Sequence, residues 1–488
     1  MTGLTINTNT YRNKPLTFCF YVSGHGWGHA TRANQVIMDI LNLPAHHTVY
    51  VISTASDFIF KGVIKLGAHY RHAEIDAGVV QPLPYTVDRM QTIQNLKTFL
   101  GKRSEILDNE VNWLRQVKAD CVICDAPFLP CAAARMVGIP AAISSNFTFD
   151  EVYMGLCEGD KLDEEIHEMV QQVILDYRHA DLLIRLPGAI RIPSFDDAQS
   201  LVPHTPFNTN FPETQLKIKG VANGKTQLPC TSVSNVQHDS VKNSPFVRQI
   251  IDVPLVFRKY HQSREETLLQ VGIPKEVYDT HKILLLSFGG QLLGNDGGLK
   301  GNPLPPGWIC IVCAAPESAK MPERFYRAAK DAYVPDLTHA CDVLLGKLGY
   351  GTCSECIGHS TPFVYVPRPQ FIEEHGLLKL MNDQGSAVEL SREDFEAGNW
   401  TSAIERASQM SGTCKDPLLQ IPHNGGEIAA QSIELFVDEW NRHKELQQKA
   451  TTLNLSSIFS PVSSVHSPVS ATSTTATQQQ TIFVSVDR

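Results

Sequence analysis

A run of glycines with two histidines, Ser23–His29 (SGHGWGH), follows the apolar run Phe18–Val22 near the start of the chain. We call these seven residues the glycine loop; its glycines are Gly24, Gly26 and Gly28. The apolar run is typical of a buried strand, and apolar residues recur at helical spacing after the loop. Strand, loop and helix in this order place backbone N–H groups around a small space that favours anions. A phosphate cradle needs no histidine, so His25 and His29 indicate a catalytic position.

His29 stands where the loop meets the predicted helix, and the helix dipole there disfavours a protonated imidazole. A neutral imidazole can accept a proton from a hydroxyl nucleophile, and it works best when a carboxylate binds its other nitrogen. Asp125 directly follows the apolar run Cys121–Cys124 and could reach the same sheet edge. We predict His29 as general base, Asp125 as its partner and His25 as a second candidate. The alternative is that His29 packs beside the helix and Asp125 caps the next one.

The second half of the chain carries a different pattern between residues 346 and 381. The turn Gly349–Thr352 opens a predicted helix and can bind a diphosphate through backbone amides and the threonine hydroxyl. Glu355 follows one helical turn later, where a carboxylate can accept hydrogen bonds from a ribose diol. After the next strand, Glu373 and Glu374 are suited to sugar hydroxyls. The alternative is a helix N-terminus followed by a solvated acidic loop.

Short apolar runs alternate with helical segments over residues 16–195 and again over about 252–440. This alternation predicts an α/β fold with two Rossmann-like, doubly wound, mostly parallel sheets. The predicted strands are Phe18–Val22, Thr48–Ser53, Cys121–Cys124, Ala141–Ser144, Leu182–Leu186, Lys282–Ser287, Trp308–Cys313, Val343–Leu345 and Phe363–Val366. The predicted helices include Thr92–Gln116, Pro130–Val137, Asp163–Tyr177 and Glu427–Gln447. Because ligands bind at the carboxyl ends of such strands, two facing edges would hold one ligand each.

Composition divides the chain into five segments. Residues 1–14 are predicted to be a flexible arm and 15–197 an N-terminal Rossmann-like domain, to which the loop histidines assign the acceptor side. Residues 198–246 are rich in Pro, Thr, Asn, Ser and Gln and are predicted to be an insertion or linker. Residues 247–445 form the predicted C-terminal Rossmann-like domain, which the resemblance described below makes the nucleotide-sugar-binding domain, and 446–488 a disordered tail rich in Ser, Thr and Gln.

The overall composition excludes several classes of protein. With 488 residues, 42% of them hydrophobic and 19% charged, the chain is expected to be globular. Its net charge of −9 argues against nucleic-acid binding or attachment to an anionic membrane. We expect a cytoplasmic protein, since no apolar run approaches the roughly 18 residues of a membrane span and the polar N-terminus lacks a signal sequence. Three C-x-x-C pairs are interpreted as buried, reduced thiols rather than a metal or redox site.

Ten motifs together resemble nucleotide-sugar glycosyltransferases of the two-Rossmann-domain (GT-B) class, and most of all the glycosyltransferase-like region of plant L-arabinokinases. They span about residues 16–438, apart from the insertion. In arabinokinases this region precedes a sugar kinase domain, whose pattern we do not find after residue 440; arabinose phosphorylation is therefore not expected. The motifs are VSGHGWGHATRANQVI, VQPLPYTVDRM, NFTFD, LLIRLPG, IDVPLVFRKYHQSREE, SFGGQ, LPPGWICIVC, KDAYVPDL, GKLGYGTCSE and NGGEIAA.

The resemblance implies two Rossmann-like domains that face a cleft. It also implies metal-independent transfer of a sugar from a nucleoside-diphosphate sugar, UDP-linked, to a small-molecule or glycan acceptor without a cofactor. His29 and Asp125 match the base and its partner in that class, and Glu355 matches a ribose-binding glutamate. The predicted donor-binding residues are Gly289, Gly290, Gln291, Gly349, Gly351, Thr352, Ser354, Glu355, Glu373, Glu374 and His375.

Two other functions remain open at this point. The chain could bind a nucleotide sugar without transferring it, as a regulatory module, or it could be a nucleotide-sugar epimerase of the same fold. The acceptor pocket is predicted to come from the Asp76–Arg89 loop, Asn146–Asp150 and Arg185–Arg191. The identity of the acceptor does not follow from these segments.

Overall fold

The computed structural model describes residues 14–201, 247–289, 303–410, 412 and 417–458. The predicted arm up to residue 13, most of the predicted insertion and the tail from 459 onward lie outside these ranges. So do two predicted donor-binding residues, Gly290 and Gln291.

The first sheet has eight strands, all paired in parallel. They are β1 (Thr17–Val22), β2 (Thr48–Ser53), β3 (His69–His72), β4 (Cys121–Asp125), β5 (Ala141–Ser145), β6 (Leu182–Arg185), β7 (Gln199–Leu201) and β8 (Gln249–Asp252). Their order is β3-β2-β1-β4-β5-β6-β8-β7. The first six strands follow the Rossmann order 3-2-1-4-5-6, which reverses direction between β1 and β4.

Seven helices connect these strands. They are α1 (Trp27–Leu41), α2 (Lys61–Lys65), α3 (Arg89–Gly101), α4 (Arg103–Gln116), α5 (Leu129–Val137), α6 (Phe149–Met154) and α7 (Leu162–Tyr177). The apolar face of α1, including Ala33 and Ile37, is buried with β1 in one core cluster. This burial fixes the rotation of α1 and therefore the direction in which its polar residues point.

The second sheet has six strands, again all parallel and again in the Rossmann order. They are β9 (Lys282–Ser287), β10 (Trp308–Val312), β11 (Phe325–Arg327), β12 (Val343–Gly346), β13 (Phe363–Tyr365) and β14 (Ala387–Glu389), in the order β11-β10-β9-β12-β13-β14. The direction reverses between β9 and β12. The predicted fold class, α/β with two Rossmann-like doubly wound sheets, is confirmed.

Eight helices belong to this part of the described chain. They are α8 (Arg264–Val271), α9 (Lys275–Tyr278), α10 (Val334–Ala340), α11 (Tyr350–His359), α12 (Glu373–Gln384), α13 (Arg392–Ala397), α14 (Thr401–Ser408) and α15 (Gly425–Ile458). None of the helices in the described ranges is long and apolar enough to cross a membrane.

Several elements differ from the sequence prediction. The strands β3, β7, β8, β11 and β14 were not predicted; each has only three or four residues, too few for a clear apolar pattern. The predicted helix Thr92–Gln116 is two helices, α3 and α4, which meet at Lys102. Helical periodicity does not reveal such a short break, because both helices bury residues at the same spacing.

Two predicted boundaries are also corrected. The strand β8 pairs with β6, so residues 249–252 complete the first sheet and do not begin the second domain. The last helix continues to Ile458, past residue 446, where the disordered tail was predicted to start. Its extension over residues 446–458 (LQQKATTLNLSSI) contains neither glycine nor proline, and the next proline is Pro461.

Candidate active site

The two points where strand order reverses lie against each other. In the first sheet β1 and β4 end at Val22 and Asp125, and α1 begins just beyond. In the second sheet β12 leads into α11, and Gly351 in its first turn packs on Thr31 of α1. A Cβ on Gly351 would lie 2.5 Å from Thr31 Oγ1, so this approach requires glycine. Since ligands bind at such reversal points, the region between the two helix starts is the candidate active site.

His29 and Asp125 meet as the sequence predicts. The His29 Nδ1 atom lies 3.0 Å from Asp125 Oδ1, and both side chains are buried. The His29 ring packs edge-on against Phe147, with ring centroids 5.3 Å apart. The structure thus brings the predicted pair together, while the role of His29 as a base stays a prediction.

Arg32 was not predicted, yet it is the centre of this part of the site. Its Nε donates to Asp125 Oδ2 at 2.7 Å and its Nη2 to Asp125 Oδ1 at 2.5 Å. Further donors reach Ser145 Oγ and Asn146 Oδ1, and Nη2 lies 3.0 Å from His29 Nδ1. Burial raises the pKa of Asp125, but the Arg32 guanidinium and His29 lower it more, so the net pKa is below its usual value. The three-residue spacing from His29 to Arg32, which puts both on one helix face, was the available signal.

A second histidine–aspartate pair lies on the same glycine loop. His25 Nε2 is 3.4 Å from Asp76 Oδ1, and the Asp76 side chain is fully buried. Among the described residues, no hydrogen bond to either Asp76 oxygen is recorded. Burial lowers the pKa of His25, and Asp76 outweighs this effect, so the net pKa is raised. The His25 ring lies over Gly78, where φ is +58° and a Cβ would fall 1.9 Å from the ring.

Asp76 begins a loop that extends from the first sheet to the second; we call residues 76–88 the strap. The Tyr85 ring packs against Phe288 and Phe395 of the second part of the chain, with centroids 6.2 and 5.8 Å away. Its hydroxyl donates to Glu396 at 3.2 Å. The strap, predicted as part of the acceptor pocket, therefore also joins the two sheets.

Lys347 was not predicted and lies on the second-sheet side of the site. A Cβ on Gly289, a predicted donor-binding residue in the turn that follows β9, would lie 3.8 Å from Lys347 Cε. The Lys347 ammonium donates to Gln81 of the strap at 3.4 Å. Burial, assisted by the nearby Arg368 guanidinium, lowers the pKa of Lys347 to about 7. A lysine directly after the strand-ending Gly346 was the signal in the sequence.

The predicted ribose-binding glutamate, Glu355, is buried in α11 and paired with Arg258. The Arg258 Nε donates to Glu355 Oε1 at 2.8 Å. Burial raises the pKa of Glu355, and Arg258 opposes part of that rise. In the same helix, Ser354 Oγ donates to the Gly351 carbonyl at 3.1 Å, so this hydroxyl is engaged in a hydrogen bond within α11. Thr352 is half-buried in the first turn.

Of the three predicted sugar-binding residues on α12, two are buried and one is exposed. Glu374 accepts hydrogen bonds from Arg368, at 2.8 Å from its backbone N and 2.6 Å from its Nε. Glu373 accepts from Asn146 Nδ2 at 3.2 Å and so links the second sheet to the first. His375 is exposed, and no side-chain contact to the cluster is recorded for it in the described part of the chain.

The C-x-x-C cysteines are free thiols, as predicted. All six are unpaired, and all but the half-buried Cys313 are buried. Within the described ranges, no group of three or more His, Cys, Asp or Glu side chains is arranged to hold a metal ion.

Comparison with known proteins gives the following similarities. No family model matches the chain. The chain is 35% identical over 424 residues to L-arabinokinase of Arabidopsis thaliana; the match covers 86% of this chain and 34% of that protein. The chain thus spans about a third of the length of that relative.

Solved glycosyltransferase structures share lower similarity. The calicheamicin glycosyltransferase CalG4 has a TM-score of 0.48 at 15% identity, covering 90% of this chain and 99% of CalG4. The spinosyn rhamnosyltransferase SpnG complexed with thymidine diphosphate has a TM-score of 0.46 at 10% identity, with 87% and 95% covered. MurG of Acinetobacter baumannii has a TM-score of 0.40 at 13% identity, with 88% and 100% covered. The resemblance of this chain to plant L-arabinokinase is confirmed.

Proposed function

We propose that this protein is a glycosyltransferase that moves a sugar from a nucleoside-diphosphate sugar, with UDP as the nucleotide, to a hydroxyl group of an acceptor. The reaction is proposed to need neither a metal ion nor a cofactor. The observation that carries the proposal is the meeting of the two sheets at their reversal points, where Gly351 of α11 packs on Thr31 of α1. One ligand-binding edge thus faces another, as transfer between two substrates requires.

The second sheet supplies the features of a donor site. The start of α11 and the Gly289 turn offer backbone N–H groups, which bind phosphate oxygens well at a helix N-terminus. Lys347 adds a cation beside Gly289. When the bond between the sugar and the diphosphate breaks, negative charge grows on the leaving oxygen, and these groups are placed to stabilise it.

The first sheet supplies the features of an acceptor site. Two imidazoles of the glycine loop, His25 and His29, each face a buried carboxylate. An imidazole held by a carboxylate can take the proton of an attacking hydroxyl. The strap contacts His25 through Gly78, and Phe147 and Phe149 contact His29; both segments were predicted for the acceptor pocket, which stays a prediction together with Arg185–Arg191.

A specific observation favours a second candidate, a module that binds nucleotide sugars without transferring them. Three acidic residues that transfer would use are already paired with arginine: Asp125 with Arg32, Glu355 with Arg258 and Glu374 with Arg368. A carboxylate that is saturated by arginine is less available to a substrate.

Incubation with a panel of UDP- and dTDP-linked sugars separates these functions. The panel contains the glucose, galactose, xylose and arabinose derivatives, with EDTA present and with free monosaccharides as acceptors. Nucleoside diphosphate release that requires an acceptor, followed by mass spectrometry of the new glycoside, is the expected result. Isomerised donor sugar would indicate an epimerase, and saturable binding without turnover would indicate a binding module. If no nucleotide sugar binds, the proposal is wrong.

A further inference from the structure

We propose that His25, oriented by Asp76, is the catalytic base of the transfer reaction, and that His29 and Asp125 belong to a structural network around Arg32. This inference rests on the proposed glycosyl transfer and assigns its proton acceptor. It reverses the assignment that the sequence favours, which places His29 first.

Access to the two imidazoles differs. The His25 side chain is 34% exposed, whereas the His29 side chain is 9% exposed. An acceptor hydroxyl must come within about 3 Å of the basic nitrogen. The exposed part of the His25 side chain can be reached at this distance, whereas the buried His29 ring packs against Phe147 and Phe149.

The carboxylate partners differ as well. Asp76 forms an ion pair with His25. The Asp76 charge can therefore stabilise the imidazolium that forms when the base takes a proton. Asp125 is bound by Arg32 through both oxygens, so much of its charge is already compensated. The Arg32 guanidinium also lies 3.0 Å from His29 Nδ1, so this nitrogen already has two polar partners, Asp125 and Arg32.

The nitrogen that carries the proton in each neutral imidazole, His25 and His29, leads to the same conclusion. Because His25 Nε2 faces the Asp76 carboxylate at 3.4 Å, the neutral ring carries its proton on Nε2, and the lone pair on Nδ1 can receive a proton. For His29, both Asp125 Oδ1 and Arg32 Nη2 lie 3.0 Å from Nδ1. If Arg32 donates to Nδ1, the His29 proton is on Nε2, and that nitrogen cannot act as a base.

The position of His25 connects it to the donor side. Its ring lies over Gly78 of the strap, and three residues later Gln81 contacts Lys347. The strap thus spans the distance between the proposed base and the proposed diphosphate site. The Tyr153 hydroxyl donates to the Gly78 carbonyl at 3.1 Å and so helps to hold the strap in place.

The proposed step balances as follows. The acceptor oxygen attacks the anomeric carbon of the sugar while its proton moves to His25 Nδ1. The bond from that carbon to the diphosphate oxygen breaks, and the electron pair leaves with the nucleoside diphosphate. His25 then carries a positive charge that Asp76 stabilises.

The test compares His25→Gln with His72→Gln, a matched substitution of an exposed histidine on β3. Acceptor-dependent release of UDP is measured with the nucleotide-sugar panel, and UDP affinity is measured by calorimetry. His25→Gln is expected to lower kcat about 100-fold or more and to leave UDP affinity within threefold of wild type. His72→Gln is expected to match wild type in both. A kcat for His25→Gln within threefold of wild type would overturn the assignment.

The pH profile separates His25 from His29. Of the charged and titratable groups around His25, Asp76 faces it directly and Tyr153 packs under the same loop. Because the base must be neutral, kcat is expected to rise with pH through the pKa of His25. Asp76→Asn removes the group that favours the imidazolium, so this rise should move to lower pH as kcat falls. In His29→Gln the rise should stay in place; its loss there, with retention in His25→Gln, would identify His29 as the base.

The possible failures are distinguishable. A wild-type protein that binds nucleotide sugars and never transfers them contradicts both the proposed function and the base assignment. A wild-type protein that transfers sugar, together with a fully active His25→Gln variant, contradicts the base assignment alone.

Discussion

Arg32 is a buried cation that bonds to Asp125, Ser145 and Asn146 and lies under the ring of Tyr350. Its replacement by methionine keeps much of the side-chain volume and leaves the Asp125 charge buried without its main partner. Breaking a buried ion pair from one side costs about 3–5 kcal/mol. We expect Arg32→Met to lower the free energy of unfolding by about that amount, as measured by urea denaturation.

The matched control for this experiment is Arg185→Met. Arg185 also binds an aspartate, Asp252, through two nitrogens, but both side chains are exposed. Exposed pairs contribute about 0–1 kcal/mol. Equal losses in Arg32→Met and Arg185→Met would show that the Arg32 network does not stabilise the fold.

Lys347 allows a prediction about proton uptake. With a pKa of about 7, it is mostly neutral at pH 8 in the free protein. A bound diphosphate favours the charged ammonium and raises this pKa, so UDP-glucose binding at pH 8 should take up a proton through Lys347. At pH 6 the ammonium is already charged, and this uptake should disappear.

Calorimetry in buffers of different ionisation enthalpy measures this uptake. In Lys347→Met the uptake at pH 8 should be lost and the affinity for UDP-glucose should fall, while Lys379→Met, an exposed lysine on α12, should behave like wild type. An uptake that persists in Lys347→Met would place the diphosphate away from this residue.

At the residue scale, sequence reasoning identified some site residues and missed others. His29 and Asp125 could be predicted because each follows an apolar strand and because their chemistry is familiar. Arg32, Lys347 and the importance of Asp76 were missed, because their roles depend on three-dimensional contacts with residues 51 to 266 positions away along the chain.

At the element scale, α1 and α11 approach each other closely in the site. A Cβ on Gly351 would meet Thr31 Oγ1 at 2.5 Å, and Thr31 cannot easily turn away because its hydroxyl donates to the Gly28 carbonyl at 2.9 Å. Overpacking of this kind costs about 1–3 kcal/mol. We expect Gly351→Ala to destabilise the protein in urea denaturation by an amount in this range.

A second substitution tests whether this contact is the cause. Thr31→Ala removes Oγ1, and the next atom of Thr31 is 3.7 Å from the added Cβ, which is an ordinary contact distance. The double variant should therefore be more stable than the sum of the single effects predicts. Strict additivity would show that the two helices do not press on each other. Gly28→Ala, where nothing lies within 4 Å, is the control.

Among the elements, the long buried strands can be predicted from the sequence and the short strands cannot. The long apolar runs gave β2 and β9 with correct bounds, because strands buried on both faces have no polar interruptions. Short strands such as β3, with the sequence HYRH, gave no such signal. The place of β8 in the first sheet also had none, since strand pairing across a long insertion is a long-range property.

At the scale of the whole molecule, several contacts join the two halves of the described chain at the candidate site. Tyr85 of the strap packs against Phe288 and Phe395, α1 packs on α11, Asn146 binds Glu373, and Gln81 of the strap contacts Lys347. The proposed proton-accepting groups lie on one side of these contacts and the proposed diphosphate-binding groups on the other. A substrate that bridges the sheets would explain why both kinds of group meet here.

A crystal structure with bound UDP-glucose tests this account most directly. We predict that the diphosphate lies between the Gly289 turn, Lys347 and the first turn of α11, and that the sugar faces the glycine loop. His25 should then be the imidazole nearest to the anomeric carbon. UDP-glucose bound at any other place, with this region unchanged, would contradict the account.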